Sequence, residues 1–247
     1  MVSGYRYGVP LVAAVVCPHP PLLVPEVAAG AAAELDEVRA ACDTALAGFA
    51  AAGVQHVAVV GGDARTTAYD YPFAGTFAPW GVPLEVHVGP AGPPEPLPLS
   101  LLVGFWLVKR YLRVDGAVSF SAYGIAADSP PAACAALGQD LNPSPARWAL
   151  LAMGDGSACR SPSAPGYADA RAEPFDGAVA GALDAADPAA LLALDPVEAA
   201  ELRVAGRAPW QVLAGAIQAA GGDWTGTLHY TGAPYGVGYF VASWAHA

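Results

Sequence analysis

Lysine is almost missing from this chain. Lys109 is the sole one, and 11 basic residues face 22 acidic ones, for a formal net charge of -11. Such a surface repels phosphate backbones and anionic headgroups, which excludes nucleic acid and membrane surfaces as expected partners. Cysteine is scarce as well. Cys17, Cys42, Cys134 and Cys159 show no CxxC spacing, which excludes a disulfide scaffold, and three of them sit among apolar or small residues and read as buried, reduced thiols. Long apolar runs are lacking too, since the longest stretch within an expected helix is Leu101–Val108, far short of a membrane span. Arg6 followed by the apolar run Val9–Cys17 imitates a secretion signal, but no A-x-A cleavage site follows and the run passes straight into Pro18-His19-Pro20-Pro21. A buried first strand and a cytoplasmic protein are the expectation.

What the chain does have is apolar mass. Hydrophobic residues make up 55% and charged ones only 13% of its 247 residues, enough for a packed core and incompatible with global disorder. Val9–Cys17 reads as a buried strand, Ala28–Ala52 as an amphipathic helix ending before Gly53, and His56–Val60 as a second buried strand. This order predicts a βα repeat and a largely parallel sheet. Further on, the pattern predicts a helix over Leu99–Arg113 and a strand over Val114–Ser121. A short helix over Pro131–Leu141 and a buried strand over Trp148–Met153 follow. From Asp176 to Ala220 alanine-rich helices are expected, broken at Pro188, Pro196 and Pro209. Strands Trp224–Tyr230 and Tyr239–Trp244, joined at Gly232–Gly238, predict a terminal hairpin on a mixed sheet. No linker divides the chain. The expectation is therefore one α/β domain over 1–247, with a mostly parallel mixed central sheet flanked by helices. The long segment Gly61–Pro98 reads as a cover over a cleft, and its aromatic part Tyr69–Trp80 as an exposed contact patch.

Ligands of α/β sheets bind beyond the carboxyl ends of the strands, which selects three loops. In the first, prolines fix the backbone around His19, as suits a metal ligand or an acid/base, or else a residue that caps the strand. In the second, Asp63 after Gly61-Gly62 is either a metal ligand or an Asx cap, with no phosphate-binding pattern around it. In the third, Gly154-Asp155-Gly156-Ser157-Ala158 lacks the glycine spacing of a nucleophile elbow. It still offers Asp155 and Ser157 as cleft lining and Arg160 for an anionic group, or simply a tight turn. Pro21 is expected beside them.

Cys17-Pro18-His19-Pro20-Pro21-Leu22-Leu23-Val24-Pro25-Glu26, then Val57–Asp63, Leu150–Ala158, Ala164–Tyr167 through Pro174-Phe175-Asp176, and Gly206–Ala216, resemble in order the class III extradiol dioxygenase superfamily. These are LigB-type proteins related to the catalytic subunit of protocatechuate 4,5-dioxygenase. The resemblance implies a non-haem Fe(II) oxidoreductase, with two histidines and a carboxylate holding iron for a catechol and O₂. His19 matches the first histidine ligand. The second falls on Gly61-Gly62-Asp63, the acid/base histidine on Ala158, and the glutamate ligand within Gly206-Arg207-Ala208-Pro209-Trp210-Gln211. Only the first position keeps its group, so ring cleavage is not expected. The expectation is a degenerate LigB-type protein that binds a small molecule of aromatic type, or a partner protein, with no resident cofactor and as a homodimer. The alternative is an enzyme rebuilt around His19, with Fe(II) or another divalent metal held by His19 and Asp63, or with His19 as a metal-free general base.

Overall fold

The computed structural model of the chain describes residues 11–90, 97–111, 118–141 and 146–246. Its elements run β1 (Leu11–Cys17), α1 (Pro25–Ala28), α2 (Asp36–Ala51), β2 (His56–Asp63), β3 (Thr67–Tyr69), β4 (Phe73–Thr76) and β5 (Glu85–Val88). They continue with α3 (Leu99–Tyr111), β6 (Ser119–Ala126), α4 (Pro131–Asp140), β7 (Trp148–Met153), α5 (Ala172–Asp184), α6 (Pro188–Leu192), α7 (Pro196–Glu201), α8 (Arg207–Ala220), β8 (Trp224–Gly232) and β9 (Tyr239–His246).

One seven-stranded sheet carries the fold, in the order β3-β6-β2-β7-β1-β9-β8. The four inner strands β6, β2, β7 and β1 are parallel, while β9 runs antiparallel to β1 and pairs with β8 in the terminal hairpin. The α/β architecture, the mostly parallel sheet and the hairpin are those expected from the apolar runs. Strands buried on both faces lose the alternation of half-exposed ones, and β1 and β7 are buried along their whole length.

Two apolar cores lie on the two faces of this sheet. The first collects Cys17, Val59, Ala122, Met153, Tyr239 and Val241 from the strands, with residues of α2 and α3 packed over them. The second takes their neighbours Val16, Val60, Ala152, Phe240 and Ala242, covered by α4, α5 and α8. This two-residue alternation fixes which face every strand-end residue addresses.

Some boundaries differ from expectation. The first long helix begins at Asp36, and a 3-10 run over Ala29–Leu35 precedes it. β2 and β6 extend to Asp63 and Ala126, beyond their apolar runs. Residues 9–10, 112–117 and 142–145 of the expected elements lie outside the described residues. Pro188 and Pro196 do not merely break helices but open them, each after an aspartate whose side chain accepts two backbone N–H groups. Pro209 sits in the first turn of α8, where its missing N–H has no helical acceptor to lose, so the helix runs on unbroken. Of the aromatics in the segment, Phe73 and Phe77 are buried, Tyr69 and Trp80 pack partly buried against the core, and Tyr71, at 55%, is exposed.

At the amino edge, the His56 ring is clasped by hydroxyls, with Nδ1 2.7 Å from Ser119 Oγ and Nε2 3.0 Å from Ser121 Oγ. Burial pushes its pKa down to about 4 from 6.5. The unfolded chain therefore takes up this proton first, so stability is whole above pH 6.5 and erodes as pH falls towards 4. The urea midpoint of the protein should drop more between pH 7 and pH 4.5 than that of His56→Gln. Equal drops would remove His56 from the acid response.

Candidate functional site

β1, β2 and β7 end side by side, and their carboxyl ends define the site. Gly154 N–H donates to Cys17 C=O (2.9 Å), which holds the exits of β1 and β7 together. The Pro18-His19-Pro20 turn then leads into a 3-10 turn at Pro21–Leu23, with Pro21 half-buried beside it. Both prolines constrain the backbone around the histidine.

His19 meets Asp155. Its backbone N–H donates to Asp155 Oδ1 at 2.8 Å, and its Nδ1 lies 3.6 Å from the same oxygen. Both side chains are mostly enclosed, at 13% and 15% exposure. His19 Nδ1 is itself buried with no hydrogen-bond partner. An imidazole nitrogen left in that state loses the full worth of a hydrogen bond, which a ligand atom can restore.

Tyr239 completes this side. β9, which Tyr239 begins, pairs antiparallel with β1 from Ala13↔Ala245 through Val16↔Ala242. Gly156 N–H donates to Gly238 C=O (2.6 Å) and Gly238 N–H to Ser157 C=O (2.8 Å), which brings the start of β9 against Asp155. Burial, and then the charge of Asp155, push the Tyr239 hydroxyl well above its usual pKa. Tyr239 is 3% exposed.

Asp63 ends β2 on the same face but turns towards β6. Its Oδ1 accepts from Ala64 N–H and its Oδ2 from the Tyr69 hydroxyl, each at 2.6 Å. Gly124 makes room for it, since a methyl there would overlap the carboxylate. Burial and this carboxylate push the Tyr69 pKa up to about 12. Across the sheet the polar groups therefore stand in the order Tyr69, Asp63, Asp155, His19, Tyr239. Strand spacing puts β1 and β2 roughly 10 Å apart, with β7 between them. Among the described residues, no group of three or more His, Cys, Asp or Glu side chains is placed to hold a metal ion.

Of the other expected site residues, Ser157 and Arg160 go elsewhere. Ser157 donates its N–H (2.9 Å) and hydroxyl (2.7 Å) to Asp176, and Arg160 Nη1 donates to the same carboxylate at 3.1 Å. They fasten the loop to α5. Arg207, in the first turn of α8, is buried and donates to Ser129 C=O, Ala127 C=O and Gln211 Oε1 on the second face. Trp210 lies under Gly154 and Gly206, with its indole N–H buried and without a partner. The same sheet edge carries an open groove of about 660 Å³ on its second face, between Ala127, Pro196, Ala199, Val204 and Arg207. It contains none of the polar row.

Tyr239 and Tyr69 are the site residues that sequence reasoning missed. Tyr239 reads as part of a close-packed hairpin, and its place near Asp155 depends on the bonds that Gly238 makes with Gly156 and Ser157. Tyr69 reads as one aromatic among several. The other imidazoles lie apart from the row: His229 Nε2 is 2.8 Å from Ser243 Oγ on the hairpin, and His87 Nε2 2.8 Å from Glu85 on β5.

No protein-family model and no curated protein sequence matches this chain. Among solved structures, it is similar to the crystal structure of uncharacterized protein JW3007 from Escherichia coli K12. The TM-score is 0.51 at 12% identity, with 95% of this chain and 99% of that chain covered. A likeness at that identity concerns the fold alone. Among the described residues, no helix is long and apolar enough to cross a membrane.

Proposed function

We propose that the chain is a divergent LigB-type protein that has lost iron-dependent ring cleavage and binds a small molecule at the strand-end polar row. One observation carries the reading: His19 stands at the ligand position with a buried, unpartnered Nδ1, while the groups needed to join it are absent or engaged.

The implied Fe(II) does not fit the donors present. Asp63, the nearest replacement for the second histidine, is held by Tyr69 and Ala64 and leans over Gly124, away from His19. At the position of the glutamate ligand stand Gly206 and the buried Arg207, neither of which offers a carboxylate. Ala158 supplies no group to take a catechol proton. Purified protein given Fe(II) without oxygen, then desalted, should retain far less than one iron per chain. It should consume no O₂ with catechol. Stoichiometric iron with catechol turnover would overturn the reading.

A second reading has His19 as a metal-free general base oriented by Asp155, and their 3.6 Å approach favours it. His19→Ala would then abolish an activity while leaving the Tm nearly unchanged, whereas loss of the fold makes the histidine structural. Four free, buried cysteines accord with a reducing, cytoplasmic setting. The assembly that goes with this reading is a homodimer, which sizing at several concentrations tests.

A further inference from the structure

We propose that the groove beside α7 is a second binding site, for an aliphatic ligand with an anionic end, such as an alkyl carboxylate. It lies apart from the polar row and stands whether or not that row binds anything.

The walls dictate the body of the ligand. The groove holds about 660 Å³, within the range of about 300–1,000 Å³ common to small-molecule sites. Ala127, Pro196, Val197, Ala199, Ala200 and Val204 give it small, aliphatic walls. No aromatic side chain among the described residues lines it, so a flat ring finds nothing to stack on. An alkyl chain needs no such partner and buries its surface against methyl groups. Val197, 66% exposed, leaves apolar surface on the rim for a ligand to cover.

The charges dictate its end. Asp128, Glu201, Arg203 and Arg207 are the charged residues of the lining. Glu201 is spent on Arg171, whose Nη1 donates to its Oε2 at 2.6 Å. Asp128 is exposed, and water screens it. The two arginines have no such offset. Among the described residues, Arg39, Arg110, Arg160 and Arg171 pair with carboxylates, whereas Arg203 and Arg207 meet only uncharged acceptors. Arg207 is 1% exposed, with Ala127 C=O, Ser129 C=O and Gln211 Oε1 around it. A buried cation without a counter-charge is costly, and an anion in the adjoining groove lowers that cost. Arg203 Nη1 donates to Pro165 C=O (2.7 Å), which leaves most of its fork for a carboxylate.

Arg203 also stands where its backbone does not favour it. α7 ends in a Schellman motif, in which Val204 N–H donates to Ala199 C=O (2.8 Å) and Arg203 N–H to Ala200 C=O (3.2 Å). Glycine is the usual residue at the left-handed position of this motif, and here it is Arg203, with φ at 56°. A left-handed arginine costs the fold stability, and a contact with a ligand accounts for the side chain being kept there.

Octanoate, octanol and octylammonium share one tail and differ in the charge at its end, and each is titrated calorimetrically at low salt, below micelle formation. Octanoate should bind about tenfold more tightly than octylammonium, with octanol between them. Arg203→Gly should weaken octanoate about fivefold. Its Tm should stay within about 3 °C of the unaltered protein, because relief of the left-handed backbone offsets the lost bond to Pro165. Asp128→Asn removes the carboxylate that faces the ligand and should tighten octanoate about twofold. Ala200→Trp, at an exposed position of α7, fills the groove and should abolish octanoate binding, while Asp155→Asn in the polar row should not change it. If Ala200→Trp does not fold, Val197→Asp at the exposed rim tests the same wall and should weaken octanoate about tenfold. Octylammonium binding as tightly as octanoate overturns the charge preference, and an unchanged affinity in Arg203→Gly overturns the part given to Arg203. Octanoate binding that survives the groove variant, or is lost in Asp155→Asn, overturns the place. Failure of octanoate to bind the unaltered protein overturns the inference and leaves the polar row untouched.

Discussion

Asp176→Ala should destabilise the protein by about 3–5 kcal/mol, the usual cost of removing one partner from a buried charge network. The carboxylate is buried and accepts three donors: Ser157 N–H, Ser157 Oγ–H and Arg160 Nη1–H. Its removal leaves two buried donors unpaired and a guanidinium without its inner counter-ion. It also opens a void against Gly156 and Gly238, whose missing side chains let the carboxylate approach. Glu173, the other partner of Arg160, is 83% exposed, and Glu173→Ala should change stability by less than about 0.5 kcal/mol. Urea unfolding of the two variants measures the difference. Equal and small losses would mean that water replaces Asp176 without penalty. Because Ser157 follows Asp155 so closely, Asp176→Ala should also weaken ligand binding at His19 wherever the variant remains folded.

Gly138→Ala and Gly215→Ala should each cost about 1–3 kcal/mol, although both residues lie inside helices, where alanine is the better helix former by about 1 kcal/mol. Packing outweighs propensity here because the neighbours are backbone. A methyl on Gly138 would overlap Val212 C=O and come within 2.7 Å of Ala216 N, and one on Gly215 would overlap the carbonyl of Ala135. Neither helix can yield by turning a rotamer. Gly181→Ala in α5 serves as the control: nothing lies within 4 Å of the added methyl, so a gain of about 0.5–1 kcal/mol is expected. Thermal melts of the three variants decide it. A stabilised Gly138→Ala or Gly215→Ala would mean that α4 and α8 are further apart than described. The contact matters beyond stability, since α8 brings Gly206 and Arg207 to the carboxyl edge of the sheet.

The elements most legible in the sequence are those whose residues sit next to one another in it. β7 begins and ends where its apolar run does, and the prolines that open α6 and α7 stand directly after their capping aspartates. The apolar runs end before β2 and β6 do, because glycine and polar residues at their carboxyl ends hide extended backbone that strand neighbours continue to pair. The site was half legible. His19 and Asp155 follow from the rule that ligands bind where parallel strands end. Ser157 and Arg160 follow from the same rule, yet the structure spends them on Asp176. A loop sequence gives the reach of a side chain but not its direction.

Composition and periodicity by themselves determined the α/β class, the parallel inner sheet, the terminal hairpin and the acidic surface. These depend on local burial and on charge summed over the chain. Only the tertiary structure decided that Tyr239 lies near Asp155, that Asp63 leans to Tyr69, and that Phe73 and Phe77 join the core. Each of these needs a register between strands or a shared cavity, and a register joins residues far apart in the chain, where no local pattern records it.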